Sequence, residues 1–245
     1  MINVENLAFS FSDKPVLRDI SFAVNQGDLF AVLGPNGTGK TTLINILTGK
    51  LEVQSGSVQV LGTQIRERFS NEVKKRIGVM REIQGLYTKM TGYEYLRLVA
   101  VLYDYPVSEI DSRIEYLCEK YKLTGEINRT IKKYSAGTKK KLEFCAAIIH
   151  EANVLFLDEP FESVDPQISY EIKKFLREYV REEEATVIIT SHILDTIQNL
   201  CNRYIIIKDG FVAQADEIKK DMSPSLEARY MSVVGHVIED EGSES

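Results

Sequence analysis

Two hydrophobic rhythms divide the chain. Near the N-terminus apolar and polar residues alternate in INVENLAFSF, again in SFAV and again in SGSVQVLG. A period of two marks strands with one buried face, and the turn-forming stretches SDKP, NQGD and QSG separate them. The pattern predicts an antiparallel sheet. Four other segments, DLFAVLG, NVLFLDE, TVIITSH and RYIIIKDG, are continuously apolar instead. Such runs fit strands of a parallel sheet covered by helices on both faces, where neither side of the strand meets water. The KDG closing the last run, ahead of FVAQ, predicts a tight hairpin turn.

Between about residues 85 and 150 the rhythm changes. TGYEYLRLVAVLY and VSEIDSRIEYLCEKYKL carry apolar residues three and four apart, which predicts helices. The expected organisation is one α/β domain over 1–215 with a helical subdomain inserted at about 85–150. A C-terminal extension over 216–245 carries one short amphipathic candidate, SLEARYMSVV, and ends in the acidic EDEGSES, expected to be solvated. No internal repeat is evident.

Composition narrows the function classes. The 245 residues are 44% hydrophobic and 27% charged, ordinary values for a globular protein. A net charge of −6 argues against broad adhesion to DNA or RNA, so no nucleic-acid partner is expected. The three cysteines, Cys118, Cys145 and Cys201, are dispersed and form no CxxC pair; they are expected as buried free thiols in a reducing compartment. No apolar run approaches the roughly 20 residues that span a bilayer, and the N-terminus lacks a charged-then-apolar leader pattern. A soluble chain is expected.

The strongest chemical signal is LGPNGTGKTTL, which satisfies G-x-x-x-x-G-K-[ST] through Gly34, Gly39, Lys40 and Thr41. An apolar strand precedes it and the helix-spaced TLINILTG follows, which is the context a phosphate loop requires. Glycines let backbone N–H groups wrap phosphate oxygens, and the helix N-terminus favours their charge. Lys40 would reach the β- and γ-phosphates, and the Thr41 hydroxyl would ligate Mg²⁺. Asn36, Gly37, Thr38 and Thr42 complete the expected nucleotide-binding loop. In NVLFLDEP, Asp158 suits the magnesium's ligand set and Glu159 beside it could take a proton from an attacking water. A strand-ending Asp-Glu can equally be a mere turn; its company with the phosphate loop decides for chemistry.

With these segments in hand, the chain resembles the nucleotide-binding ATPase subunit of an ABC transporter over roughly residues 1 to 215. GPNGTGKT matches that family's Walker A and VLFLDE its Walker B. SVDP matches the D-loop through Asp165, and TSH supplies the switch histidine, His192. IGVMREIQGLYTKMTGYEYL resembles the Q-loop region and YSAGTKKKL the LSGGQ signature. The resemblance implies a P-loop NTPase core with a mainly parallel sheet, an N-terminal antiparallel β subdomain and an inserted helical subdomain. It implies ATP and Mg²⁺ as cofactors, with Thr41, Glu82 and Asp158 at the metal and Glu159 and His192 catalytic. Phe11 takes the place of the adenine-stacking aromatic, with Phe9 as fallback. Ser135, Ala136 and Gly137 would cap the ATP of a second ATPase subunit, identical or not, in a head-to-tail dimer. A separate integral membrane permease would be driven by closure and reopening, and would touch the segment after Glu82. The chain would then work in the cytoplasm, peripheral at the inner face of the cell membrane.

Departures from the family pattern are few. Glu82 stands for the usual glutamine, Ala136 and Thr138 alter the signature, and Ser163 and Val164 alter the D-loop. A carboxylate is still a hard-cation ligand. The rival reading is a soluble, non-transport ABC ATPase of the iron–sulfur assembly type, which would share every motif. Within the signature, Ser135 is expected to N-cap a helix whose apolar face includes Leu142, Cys145, Ala146 and Ile149. Lys139, Lys140 and Lys141 are expected on its solvated face. His150 is explained by the helix dipole, and His236 receives no role.

Overall fold

The computed structural model describes residues 1–65, 70–81, 85–162, 164–219 and 222–235. The chain divides into two compact units, one of residues 1–68 and 188–245, the other of residues 69–187. In chain order the first unit opens with strands β1 (Ile2–Phe11), β2 (Lys14–Val24) and β3 (Leu29–Leu33), helix α1 (Lys40–Leu47), and strands β4 (Ser55–Val60) and β5 (Thr63–Ile65). The second carries α2 (Asn71–Lys74), β6 (Ile77–Met80), α3 (Gly92–Leu102), α4 (Ile110–Lys120), α5 (Ala136–Ile148), β7 (Val154–Asp158) and α6 (Pro166–Glu183). The division falls inside β8 (Thr186–Thr190). The first unit resumes with α7 (Leu194–Leu200), β9 (Arg203–Lys208), β10 (Phe211–Glu217) and α8 (Leu226–Val234).

In the first unit β2, β1, β4 and β5 form the expected antiparallel sheet in that order. The alternation along β1 changes phase once. Ile2 and Val4 are buried, then Leu7 and Phe9, so one extra residue intervenes. It is Asn6, left-handed at φ 49°, where the pairing with β2 slips, and its amide donates to Asp19 at 2.7 Å. A bulge at a residue that tolerates φ > 0 keeps both apolar pairs on the core face. Beside it, β3 pairs parallel with β9, and β9 antiparallel with β10 across the Asp209–Gly210 turn. Both turn residues have positive φ, 53° and 84°, as the twist of a two-residue hairpin demands.

The second unit pairs β6 with β7 in parallel, Ile77 opposite Val154 and Met80 opposite Leu157. A Cβ at Gly78 would lie 2.0 Å from the Ala147 carbonyl oxygen, so α5 lies directly against β6. Aromatic rings tie the helices together: Tyr121 meets Phe175 at 4.5 Å and Phe144 at 5.2 Å, both edge-on. The hydrophobic rhythm described above assigns no element to residues 166–183, yet α6 is an 18-residue helix there. Its buried stripe Ile172, Phe175, Leu176 and Tyr179 has helical spacing. The three cysteines are free and buried, as expected. No helix among the described residues is long and apolar enough to cross a membrane.

Candidate nucleotide-binding and catalytic residues

In the first unit the chain leaves β3 at Leu33 and enters α1 at Lys40 through the predicted loop. Two glycines are required by its course. Gly34 has φ 154°, and a Cβ there would stand 2.4 Å from the Ile207 carbonyl oxygen. Gly39, the N-cap of α1, is left-handed at φ 99°, with Leu17 2.6 Å from where its Cβ would be. Lys40 is buried, and its ammonium donates to the carbonyls of Gly34 at 2.8 Å and Pro35 at 3.0 Å. The Thr38 hydroxyl donates to Pro35 as well, at 2.9 Å. Asn36, Gly37 and Thr41 are exposed, and Thr38 and Thr42 half-buried. The loop thus presents its outer backbone to solvent while its lysine is held underneath. A cleft of about 530 Å³ opens beside it, lined by Asn36 and Thr38, by Lys14 and Arg18 of β2, and by Lys208 next to the hairpin turn.

Two further predicted residues belong to this unit. Phe11 is 52% exposed at the end of β1 and edge-on to Phe9 at 4.9 Å. Phe9 itself is buried, which leaves Phe11 as the ring of the pair with an open face. His192 is exposed just past the C-terminal end of β8, after the fully buried Thr190 and Ser191. The Ser191 hydroxyl accepts from Ile193 N–H at 3.1 Å and turns the chain at that point.

The second unit holds the remaining candidates. Every residue of β7 is buried, and Asp158 and Glu159 at its end are only 4% and 7% exposed. Glu159 sits at φ 48°, a conformation that costs a non-glycine residue about 1–3 kcal/mol and is concentrated at functional sites. Ser135 caps α5 as predicted, its hydroxyl accepting from Thr138 N–H at 3.1 Å. Ser135 and Ala136 are exposed, whereas Gly137 is buried with Ile168 of α6 2.6 Å from its Cβ position. Asp165 is exposed and caps α6 in turn, accepting from Ile168 N–H at 3.0 Å. The signature and D-loop residues therefore stand together, as the caps of two helices in contact. Glu82 and Ser163, like His236, lie outside the described residues.

Leu142, Cys145, Ala146 and Ile149 are buried as expected, and two other expectations for α5 and its end are corrected. The lysine run does not form a solvated face: residues 141–148 are buried without a break. Lys141 is buried and its ammonium lies 2.5 Å from Glu171 of α6, which also meets Lys122 at 3.0 Å. The Lys141 and Lys122 ammonium groups hold the Glu171 carboxyl below its ordinary range. Lys139 and Lys140 are half-buried. Glu143, one turn on, is buried with Lys140 no nearer than 3.8 Å, and burial pushes its carboxyl up to about 7. His150 is no dipole-bound cation either. It is buried, stacked on Tyr103 at 3.8 Å with Nε2 3.0 Å from the Ile77 carbonyl, and burial lowers it to about 4. A neutral imidazole gains nothing from a helix C-terminus. No local pattern signals these roles, because the partners lie on other elements.

The family model described as ABC transporter matches residues 17–162, which include the phosphate loop, the signature and the Walker B strand. The chain belongs to the ABC transporter family. It is 33% identical over 223 residues to an uncharacterized ABC transporter ATP-binding protein, YdbJ, of Bacillus subtilis, covering 91% of this chain and 69% of that protein. The bacitracin transport ATP-binding protein BcrA of Enterococcus faecalis is 31% identical over 220 residues, 90% of this chain and 70% of that one. Among solved structures, an ATP-binding subunit of an ABC transporter superposes with a TM-score of 0.85 at 25% identity, over 95% of this chain and 99% of that one. The fold is that of the family's nucleotide-binding cassettes, and the chain is an ATP-binding and ATP-hydrolysing subunit of a transporter. The iron–sulfur assembly reading is not favoured.

Proposed function

We propose that this ABC transporter subunit binds Mg²⁺-ATP in the loop from Gly34 to Thr42, closes head to tail with a second ATPase subunit, and so drives a separate membrane permease. The observation that carries the reading is the phosphate loop itself: forced left-handed at Gly39, solvent-facing along Asn36 and Gly37, with Lys40 held beneath on two loop carbonyls. Exchanging those carbonyls for phosphate oxygens is a gain in charge-assisted bonding for the ammonium. Phe11 offers an open ring for adenine.

The donors suit magnesium. Thr41 presents a hydroxyl on the first turn of α1 and Asp158 a carboxylate at the end of β7, both hard oxygen ligands, and Glu82 would add a third. Magnesium, when bound, would neutralise charge on the β- and γ-phosphate oxygens. Glu159 orients the attacking water and accepts its proton, and His192 donates to the γ-phosphate. Ser135, Ala136 and Gly137, with Asp165 alongside, act on the nucleotide of the partner subunit. The exposure of Ser135 and Asp165 at the caps of α5 and α6 supports a role toward something outside the chain. The permease engages the stretch 83–90, and the subunit works in the cytoplasm at the inner face of the membrane.

Substituting Glu159→Gln tests the chemistry. Loss of a positioned general base costs about 10²–10⁴-fold in turnover, so ATP should bind with wild-type affinity and persist unhydrolysed in a dimer detectable by gel filtration. Near-normal hydrolysis would remove Glu159 from that role.

A further inference from the structure

The cleft beside the outer turn of the phosphate loop, residues 35–38, is lined by Lys14 and Lys208, and neither the motifs nor the family comparison assigns Lys208 a role. β3 and β9 are parallel neighbours, Leu33 opposite Ile206, so their carboxyl ends reach the same edge of the sheet. That edge is where open α/β sheets place their ligands. β3 delivers the phosphate loop there, and β9 delivers Lys208. The contact is close, since the Ile207 carbonyl is the atom that forbids a side chain at Gly34. Lys208 lines the cleft with Asn36 and Thr38, and the lining's charge is three cations, Lys14, Arg18 and Lys208, against the single carboxylate of Asp209. Such a surface suits an anionic ligand.

Lys208 is also held in place. Its ammonium donates at 2.8 Å to the carbonyl of Val233, in the last turn of α8, and Val234 forms part of the cleft wall. A helix C-terminus leaves carbonyls without intrahelical partners and attracts a cation. The helix is anchored independently of the cleft. Ser225 caps it, Leu226 is fully buried and donates its N–H to Gln198 at 2.9 Å, and Arg229 pairs with Asp216 of β10. An ammonium has three donors, so one bond to Val233 leaves two N–H groups available.

We infer that Lys208 is a second phosphate-binding lysine of the nucleotide cleft, positioned by the C-terminal helix α8. The inference rests on the nucleotide reading of that cleft and gives the C-terminal extension a function: it sets where the ammonium stands, so nucleotide affinity depends on α8 being docked.

The test titrates a fluorescent ATP analogue into the full chain over a series of salt concentrations, alongside thermal unfolding. Lys208→Met is expected to weaken binding roughly tenfold, the size of one lost charge-assisted bond, and to flatten the dependence of log Kd on log salt. Lys208→Arg should restore most of both. Arg229→Ala, remote from the cleft, should weaken binding about two- to threefold in the wild-type background and not in Lys208→Met. Unchanged affinity in Lys208→Met overturns the proposal, as does weakening with an unaltered salt slope, which would mark a merely structural role. No effect of Arg229→Ala overturns the part played by α8. A Lys40→Ala protein that binds as tightly as wild type would overturn the nucleotide reading itself, an outcome distinct from the others.

Discussion

The phosphate loop and the signature turn both lead into a helix N-terminus, and they are built in opposite ways. The loop before α1 is bent by glycines: Gly37 and Gly39 at φ 82° and 99°, and Gly34 pressed against a carbonyl. The turn before α5 uses ordinary backbone, Ser135 at φ −64° and ψ 162°, with a side-chain cap in place of glycine freedom. Its one glycine, Gly137, lies inside the helix and makes room for Ile168. The helices differ as well. In α1 the buried charge is Lys40, folded onto the loop that precedes it; in α5 Lys141 turns to Glu171 of α6, and Glu143 is buried with Lys140 no nearer than 3.8 Å. A loop that wraps a ligand must curve around it, and glycine supplies the curvature. A turn that only presents a cap and a few N–H groups to a ligand held elsewhere, the role proposed for Ser135, Ala136 and Gly137, needs none.

That contrast can be broken most forcefully at Gly34. A Cβ there meets backbone, the Ile207 oxygen at 2.4 Å, which cannot move without shifting β9. Gly34→Ala is expected to abolish measurable ATP binding and to destabilise by several kcal/mol, at the upper end of overpacking effects. Retained binding would mean the loop is not the rigid cradle described.

A smaller effect is expected from the buried acid of α5. Glu143 has its carboxyl raised to about 7 from an ordinary 4.5, so the folded chain binds more protons than the unfolded one between those values. Stability contributed by its protonated form is present at low pH and is lost as pH rises through 7. His150, lowered to about 4 from 6.5, acts in the other sense: its contribution is present above 6.5 and lost as pH falls toward 4. Glu143→Gln should therefore stabilise at pH 8 relative to pH 5, by up to about 3 kcal/mol, in urea unfolding at both values. Equal changes at the two pH values would show that Glu143 finds a partner when ionised.

The smallest expected change sharpens the comparison from the signature side. At Gly137 the obstructing atoms belong to a side chain, Ile168, rather than to backbone. Gly137→Ala should cost roughly 1–2 kcal/mol, and Ile168→Val in the same chain should recover part of it. ATP binding to the free subunit should be unaffected in both. A loss as large as that at Gly34 would contradict the assigned difference.

How much of this was legible in the sequence depended on how local the cause was. Continuous apolar runs named β3, β7, β8 and β9 because a doubly covered strand needs no partner's help to be recognised. The KDG hairpin and the Ser135 cap were readable for the same reason, each being decided within four residues. β6 was too short, at four residues, to stand out, and α6 was passed over although Ile172, Phe175, Leu176 and Tyr179 carry its period. The lysine run misled. Whether Lys141 meets water or Glu171 is settled by α6, thirty residues away, and local pattern holds no record of that. His150 likewise takes its neutral state from burial against Tyr103 of another element, which outweighs the pull of the Ile77 carbonyl toward the protonated ring.

The central claim is that the phosphate loop serves the chain's own nucleotide and the signature serves another chain's. Nucleotide affinity of two purified variants, Ser135→Arg and Lys40→Ala, tests it most directly, measured at concentrations where the subunit is monomeric. Ser135→Arg is expected to bind ATP within about twofold of wild type yet to lose most of its turnover, because the arginine obstructs closure. Lys40→Ala is expected to bind at least tenfold more weakly, having lost a charge-assisted bond to phosphate. If Ser135→Arg loses ATP binding as severely as Lys40→Ala, the signature acts on its own chain's nucleotide and the head-to-tail account is wrong.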